Sequence, residues 1–202
     1  MKHLFFIIYL LIMTYSCNMN NRQEGVIEKR DYKELHRQFR DSILDKVSEN
    51  NVQINAMMEK SVTHLIKDER HPLFCDTTDG PFSISYVIYD NTTIVESYFL
   101  GSTVDVLITK GNNIFAKFSL TRDSFYSVFY PSDRDDMHKY DIHKIVDIII
   151  TDNCIIMDIM LTIPDSDIDY YFKITCKGDG YLYLKDVSEE YWERYWDEED
   201  FS

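Results

Sequence analysis

Residues 154–176, with the sequence CIIMDIMLTIPDSDIDYYFKITC, determine the fold class of the chain. Two segments rich in β-branched, aromatic and other apolar residues, 154–163 and 170–176, flank the turn-forming residues 164–167. This pattern predicts an antiparallel β-hairpin. Seven further segments of the same character are predicted to form strands: 82–89, 93–100, 103–109, 114–120, 125–130, 144–151 and 181–185.

The links between these predicted strands are short. They carry turn-forming residues at 90–91, 110–113, 152–153 and 177–180. Because short links join antiparallel neighbours, we predict an α+β fold, mostly β, in which an antiparallel meander forms a sandwich or a partly closed barrel. This β domain covers 71–202, and a helical segment at 31–70 completes one globular unit, 31–202.

The segment 31–70 shows helical periodicity. Apolar side chains recur every three or four residues and share one face: Tyr32, Leu35, Phe39, Ile43 and Val47. Polar residues at 48–51 interrupt the pattern, so two helices or one bent helix both satisfy it. The apolar face packs on the sheet of its own domain or forms a coiled coil with a partner.

A short C-terminal helix is predicted to begin at Ser188, a favourable N-cap residue. Trp192 and Trp196 then lie on one face, because residues four apart are neighbours on a helix. Two interpretations are open. The tryptophans pin the helix onto the sheet, or they form an exposed aromatic patch that binds a partner protein or a sugar ring, bordered by the acidic residues 197–200.

Residues 1–16 have the three parts of a secretory signal peptide: a positive start at Lys2, an apolar run at 4–13, and small or polar residues before Cys17. The apolar run is too short to cross a bilayer. The segment resembles a bacterial lipobox. The resemblance implies cleavage before Cys17, lipidation of its thiol with acyl chains such as palmitate, and a lipid-anchored linker over 17–30.

The whole chain resembles Bacteroidetes lipoproteins. Asp41-Ser42-Ile43 and Asp76-Thr77-Thr78 match the O-glycosylation acceptor of their envelope proteins, and the composition is typical of an AT-rich genome. The resemblance implies a bacterial cell-envelope location, on the inner or outer membrane, facing the periplasm or the cell surface. It implies no activity, and Cys17 is the one functional residue that it assigns.

The net charge of −14 excludes one class of partner. A chain this negative lacks the excess of Lys and Arg that neutralises phosphates, and it is repelled by an anionic membrane face. We therefore expect no nucleic-acid partner, and membrane contact through acyl chains alone.

No established catalytic or cofactor-binding motif occurs, so no catalytic residue, metal ligand or cofactor is assigned. One polar run offers metal ligands and acid–base groups, or is a solvated loop: Asp133, Asp135, Asp136, His138, Asp141 and His143. Asp165, Asp167 and Asp169 have the spacing that begins a calcium loop. They lack its later glycine and glutamate, so a hairpin turn explains them better.

Cys154 and Cys176 lie near each other at the open end of the predicted hairpin. A cross-strand disulfide and a pair of free thiols are both compatible with the sequence. A register shift of one residue would place the two sulfurs on opposite faces of the sheet.

Three functions follow from these observations. The first is a non-catalytic module that binds a partner protein or an envelope glycan, since tyrosine and tryptophan supply contact area at interfaces. The alternative is a small β-barrel carrier of an apolar molecule, because residues 155–163 are apolar on both faces. The third is a metal-dependent hydrolase that uses residues 133–143.

Overall fold

Alternating apolar side chains build two antiparallel sheets of four strands. The computed structural model describes residues 31–61, 64–95, 98–178 and 181–199, with side chains as far as Glu193. Within these residues the first sheet contains β1 (Leu73–Asp79), β2 (Phe82–Val95), β3 (Phe99–Lys110) and β4 (Asn113–Thr121). The second contains β5 (Asp141–Ile150), β6 (Cys154–Thr162), β7 (Asp169–Lys177) and β8 (Leu182–Asp186). Within each sheet, every strand pairs with its neighbours in sequence, which confirms the predicted meander.

Three parts of the sequence interpretation fall outside this description. The predicted signal peptide and the linker that begins at Cys17 lie outside the described residues, and so does the side chain of Trp196. The elements described here belong to the unit Tyr32–Ser202. None of the helices in the described ranges is long and apolar enough to cross a membrane.

The two sheets pack face to face around one hydrophobic core. Alternate residues of each strand point into it, as Ile84 and Val106 do from the first sheet and Met157 and Phe172 from the second. Both sheets remain open, so the fold is the sandwich of the two predicted alternatives. The space between the sheets is filled by side chains.

The strand predicted at 125–130 is wrong. The chain forms the 3₁₀ helix Arg122–Phe125 and then turns. Phe125 and Phe129 are fully buried between the sheets, with ring centroids 4.8 and 5.0 Å from that of Phe172. Because residues four apart share one face in a strand as well as in a helix, their spacing did not distinguish the two structures.

Two other local predictions are corrected. β1 was not predicted, because its sequence LFCDTTD is mostly polar and forms an edge strand. The turn predicted at 90–91 does not form. Instead β2 continues through these residues, and a bulge between Asp90 and Ile94 absorbs the irregularity.

One continuous helix, α1 (Tyr32–Lys60), replaces the predicted helical segment 31–70. The polar residues at 48–51 do not interrupt it: Ser48 and Glu49 face solvent, Asn50 Nδ2 donates to the Asp90 carbonyl at 3.2 Å, and Asn51 Oδ1 accepts from Lys67 Nζ at 2.9 Å. The described residues from 64 to 71 are not helical, and residues 69–70 form a turn. Backbone hydrogen bonds from Ile66 N to Tyr98 O (2.8 Å) and from Leu100 N to Ile66 O (2.9 Å) attach this segment to the start of β3.

The apolar face of α1 packs on the outer face of the first sheet. Phe39 and Ile43 are buried against Val87, Tyr89 and Leu107. These sheet residues alternate with core residues, so each strand here is apolar on both faces. Of the two predicted roles for the helix face, the structure shows packing within the domain.

The predicted C-terminal helix is present as α2 (Ser188–Glu199). The Ser188 hydroxyl accepts a 2.9 Å hydrogen bond from Tyr171 N, and Ser188 N donates to Asp186 Oδ1 at 2.9 Å. These bonds fix the first turn of α2 to the end of β8 and to β7.

Candidate functional site

A cleft of about 930 Å³ opens beside the outer face of the second sheet. Its walls are the segment 66–70, the β6–β7 turn and the first turns of α2. Met160 and Tyr171 also line it, and both alternate with core residues of β6 and β7. We refer to it as the Trp192 cleft; its volume is in the range of about 300–1,000 Å³ that is typical of small-molecule sites.

Aromatic side chains of α2 form one wall of the cleft. The Tyr191 ring stacks on Tyr171, with centroids 4.3 Å apart and planes at 4°, and its hydroxyl donates to Asp158 Oδ2 at 2.6 Å. Trp192 makes an edge contact with Tyr170 at 5.9 Å, and yet 40% of its surface remains exposed. Trp192 therefore both packs on the sheet and presents an aromatic surface to the cleft.

The segment 66–70 contributes a charged pair and approaches a histidine. Arg70 Nε donates to Asp68 Oδ1 at 2.8 Å. Burial by itself would raise the pKa of Asp68, but hydrogen bonds from the Arg70 side chain and backbone lower it to about 2. The Arg70 guanidinium also lies 3.1 and 3.0 Å from His143 Nε2 and Nδ1. Burial, followed by the charges of Arg70 and Lys144, lowers the pKa of His143, so the ring is neutral and accepts from Arg70.

A buried carboxyl group lies at the base of the cleft. Asp141 accepts hydrogen bonds of 2.7 Å from both the Ser102 N–H and the Ser102 hydroxyl. Burial raises its pKa to about 6, against the effect of these bonds. The pair joins β5 to β3, and hence one sheet to the other.

The β6–β7 turn supplies three further carboxylates, Asp165, Asp167 and Asp169. Asp165 adopts a left-handed φ of 59°, and the Ser166 hydroxyl donates to the Ile163 carbonyl at 2.8 Å. These features belong to a hairpin turn, as expected. No three His, Cys, Asp or Glu side chains in the described ranges lie close enough together to hold a metal ion.

The polar run at 133–143 is not brought together as one site. Asp133 accepts a hydrogen bond from the Tyr170 hydroxyl, and Asp136 pairs with Lys139 at 2.7 Å. His138 Nδ1 bonds the Asp135 carbonyl at 2.8 Å within the 3₁₀ helix Arg134–Lys139. Asp141 and His143 alone reach the Trp192 cleft.

The hydroxyl groups of the cleft are engaged in structural bonds. Ser166 and Thr162 donate to backbone carbonyls of the turn, at 2.8 Å and 3.4 Å, and Tyr191 donates to Asp158. Ser166 and Thr162 thus bond carbonyl oxygens rather than a general base, and the carboxylate that accepts from Tyr191, Asp158, is itself buried. The arrangement offers stacking surface and hydrogen-bond acceptors rather than an activated nucleophile.

Cys154 and Cys176 are not joined by a disulfide. The register pairs Cys154 with Lys177 and Ile155 with Cys176, so the two cysteines are offset by one residue. Cys176 points into the core and Cys154 toward the opposite face, which excludes the disulfide alternative.

Sequence reasoning identified Trp192 but missed Asp68 and Arg70, because these lie in a segment predicted as helix. One signal was available: Pro72 disfavours helical backbone at His71, which indicates that a helix ends before this residue.

No protein-family model matches the chain, and no curated protein is significantly similar to it.

Proposed function

We propose that this protein is an envelope lipoprotein, anchored through Cys17, that binds a glycan in the Trp192 cleft without transforming it. The observation that carries the proposal is the exposed indole of Trp192 in the wall of a cleft of about 930 Å³. In a concave site, a partly exposed indole offers a flat aromatic face on which a ligand ring can stack.

The shape of the site favours a glycan over a flat protein surface. The apolar face of a sugar ring stacks on an aromatic side chain, while its hydroxyls require hydrogen-bond acceptors nearby. The cleft has both, with Trp192 on one wall and the carboxylates of the β6–β7 turn on another. A carrier of apolar molecules has less support, because the space between the sheets is filled by side chains.

The test is isothermal titration calorimetry, in which neutral, amine-bearing and acidic oligosaccharides are titrated into the full-length purified protein. Trp192→Ala should weaken binding by about fivefold or more, since stacking of one ring on an aromatic side chain contributes about 1–3 kcal/mol where nucleobases bind proteins. The matched control is Tyr126→Ala, which removes an aromatic ring that is 53% exposed and lies outside the cleft.

Equal binding by the wild type and Trp192→Ala would overturn the proposed site. Retention of a stoichiometric protein partner from the envelope, with no sugar bound, would replace the glycan by a protein. The intact mass of the protein purified from its envelope reports whether acyl chains are attached at Cys17.

A further inference from the structure

We propose that the ligand of the Trp192 cleft is positively charged, and specifically that it is an amine-bearing oligosaccharide. The inference rests on the proposed function, and it adds the charge of the ligand. The cleft and the exposed indole define the site. The carboxylates around them determine which ligands it accepts.

The lining of the cleft is strongly negative. Lys67 and Arg70 are its two permanently charged cations. Against them stand six carboxyl groups: Asp68, Glu69, Asp141, Asp165, Asp167 and Asp169. The whole chain, at −14, reinforces this potential.

Both cations already have partners. Arg70 is held by Asp68, and Lys67 Nζ donates to Asn51 Oδ1 at 2.9 Å. By contrast, within the part of the chain that the structure describes, Asp165, Asp167 and Asp169 form no ion pair. Lys67 keeps its charge, because its partner is a neutral amide, but these three carboxylates outnumber it, so the lining presents net negative charge to a ligand.

These carboxylates repel anionic ligands and attract cationic ones. An acidic sugar or a phosphate would lose hydration and meet like charge, which is unfavourable in a partly enclosed cleft. An ammonium group would be attracted to the turn carboxylates and could lie over the face of the Trp192 ring, where a cation is stabilised by the ring quadrupole.

The carboxylates are spread along the rim rather than gathered at one point. No three of the described acidic, histidine or cysteine side chains are close enough to share a metal ion. Spread charges match amines that repeat along an oligosaccharide better than a single small cation. The aromatic wall then stacks on the sugar ring that carries the amine.

The experiment compares two probes with the same sugar backbone, a glucosamine tetrasaccharide with charged amines and its N-acetylated counterpart with neutral acetamido groups, both at a pH below the pKa of the amine. We expect the amine form to bind about tenfold more tightly, with an advantage that shrinks as salt is added. The double substitution Asp165→Asn and Asp167→Asn should remove most of this advantage. Asparagine tolerates the left-handed conformation at residue 165, so the turn is retained.

The matched control is Asp152→Asn, which removes an exposed carboxylate in the β5–β6 link, outside the cleft. It should leave the preference for the amine unchanged. Equal binding of the two tetrasaccharides would overturn the charge inference and leave the proposed function standing. If neither tetrasaccharide binds, both the charge inference and the proposed function are overturned. If a lysine homopeptide binds and Trp192→Ala has no effect on it, the ligand is a basic peptide and the sugar assignment is wrong.

Discussion

The two sheets of the sandwich are covered on their outer faces in opposite ways. The first sheet carries α1, a helix of 29 residues whose buried side chains are Phe39, Ile43 and Ile54. The second carries α2, a helix of 12 residues whose described side chains attach it through both polar groups and aromatic contacts. Glu190 pairs with Lys185 at 2.7 Å and with Lys173 at 3.6 Å, and Tyr191 bonds Asp158.

This difference gives the two outer faces different roles: the α1 side stabilises the domain, and the α2 side borders the cleft that we propose binds a ligand. The apolar contact of α1 removes surface from water and so contributes to stability, and the cleft on that side, between the start of α1 and strands β1 and β2, is smaller, at about 330 Å³. A short helix covers only part of a sheet, and its aromatic side chains border the space that remains. The Trp192 cleft exists because the cover on the second sheet is incomplete.

The largest expected effect is on the apolar side. Phe39→Ala should lower the free energy of unfolding by about 3–5 kcal/mol, because it leaves a cavity between α1 and the first sheet. Urea denaturation followed by circular dichroism measures the change. The control on the same helix is Val52→Ala, which removes a side chain that is 68% exposed and should alter stability by less than about 0.5 kcal/mol. Similar values for the two variants would show that α1 is not held by this apolar contact.

A second, smaller effect depends on pH and arises at the polar base of the cleft. The pKa of Asp141 is raised to about 6, so the folded state disfavours its ionised form. Its contribution to stability is therefore fully present below the ordinary pKa of about 4 and is lost as the pH rises through about 6.

The variant Asp141→Asn keeps the bond from Ser102 N and carries no charge. We expect it to match the wild type near pH 4 and to be more stable by on the order of 2 kcal/mol near pH 8. Urea denaturation at both pH values measures this difference. A difference that does not change with pH would show that the Asp141 carboxyl is not shifted in the folded state.

The sequence predicted the order and pairing of the strands better than the conformation of the segments that connect them. Strands β5 to β8 followed from alternation and turn residues, because period-two patterns and short links leave few topologies. The sequence did not predict that Phe125 and Phe129 lie between the sheets. Whether this segment forms a strand or a 3₁₀ helix depends on the space between two sheets whose residues are distant in sequence. The non-helical chain at 64–71 was missed for a similar reason: its backbone bonds are made with β3.

The candidate site was predictable only in part. The helix pattern placed Trp192 on an exposed or packed face, and the structure shows that it is both. Its neighbours across the cleft come from the segment 66–70 and the β6–β7 turn, whose proximity is set by tertiary packing. No spacing within a single segment indicates that Arg70 meets His143, 73 residues away.

The smallest effect tests the polar attachment of α2. Tyr191→Phe keeps the stacking on Tyr171 and removes the hydroxyl that bonds Asp158, a residue that is only 6% exposed. The other carboxylate oxygen of Asp158 is buried without a hydrogen-bond partner among the described residues. The variant therefore leaves a buried carboxylate with neither bond, and we expect a loss of about 1–2 kcal/mol in urea denaturation.

The control is Tyr130→Phe, which also removes a bond from a tyrosine to a carboxylate, the 3.0 Å contact with Glu189, but at an exposed position. It should change stability by less than about 0.5 kcal/mol, because water replaces the lost partner. If both variants are equally mild, the Tyr191–Asp158 bond does not hold α2, and the helix rests on its aromatic contacts. If Tyr191→Phe is the more damaging and also weakens ligand binding, the same bond that fixes α2 positions Trp192 in the cleft.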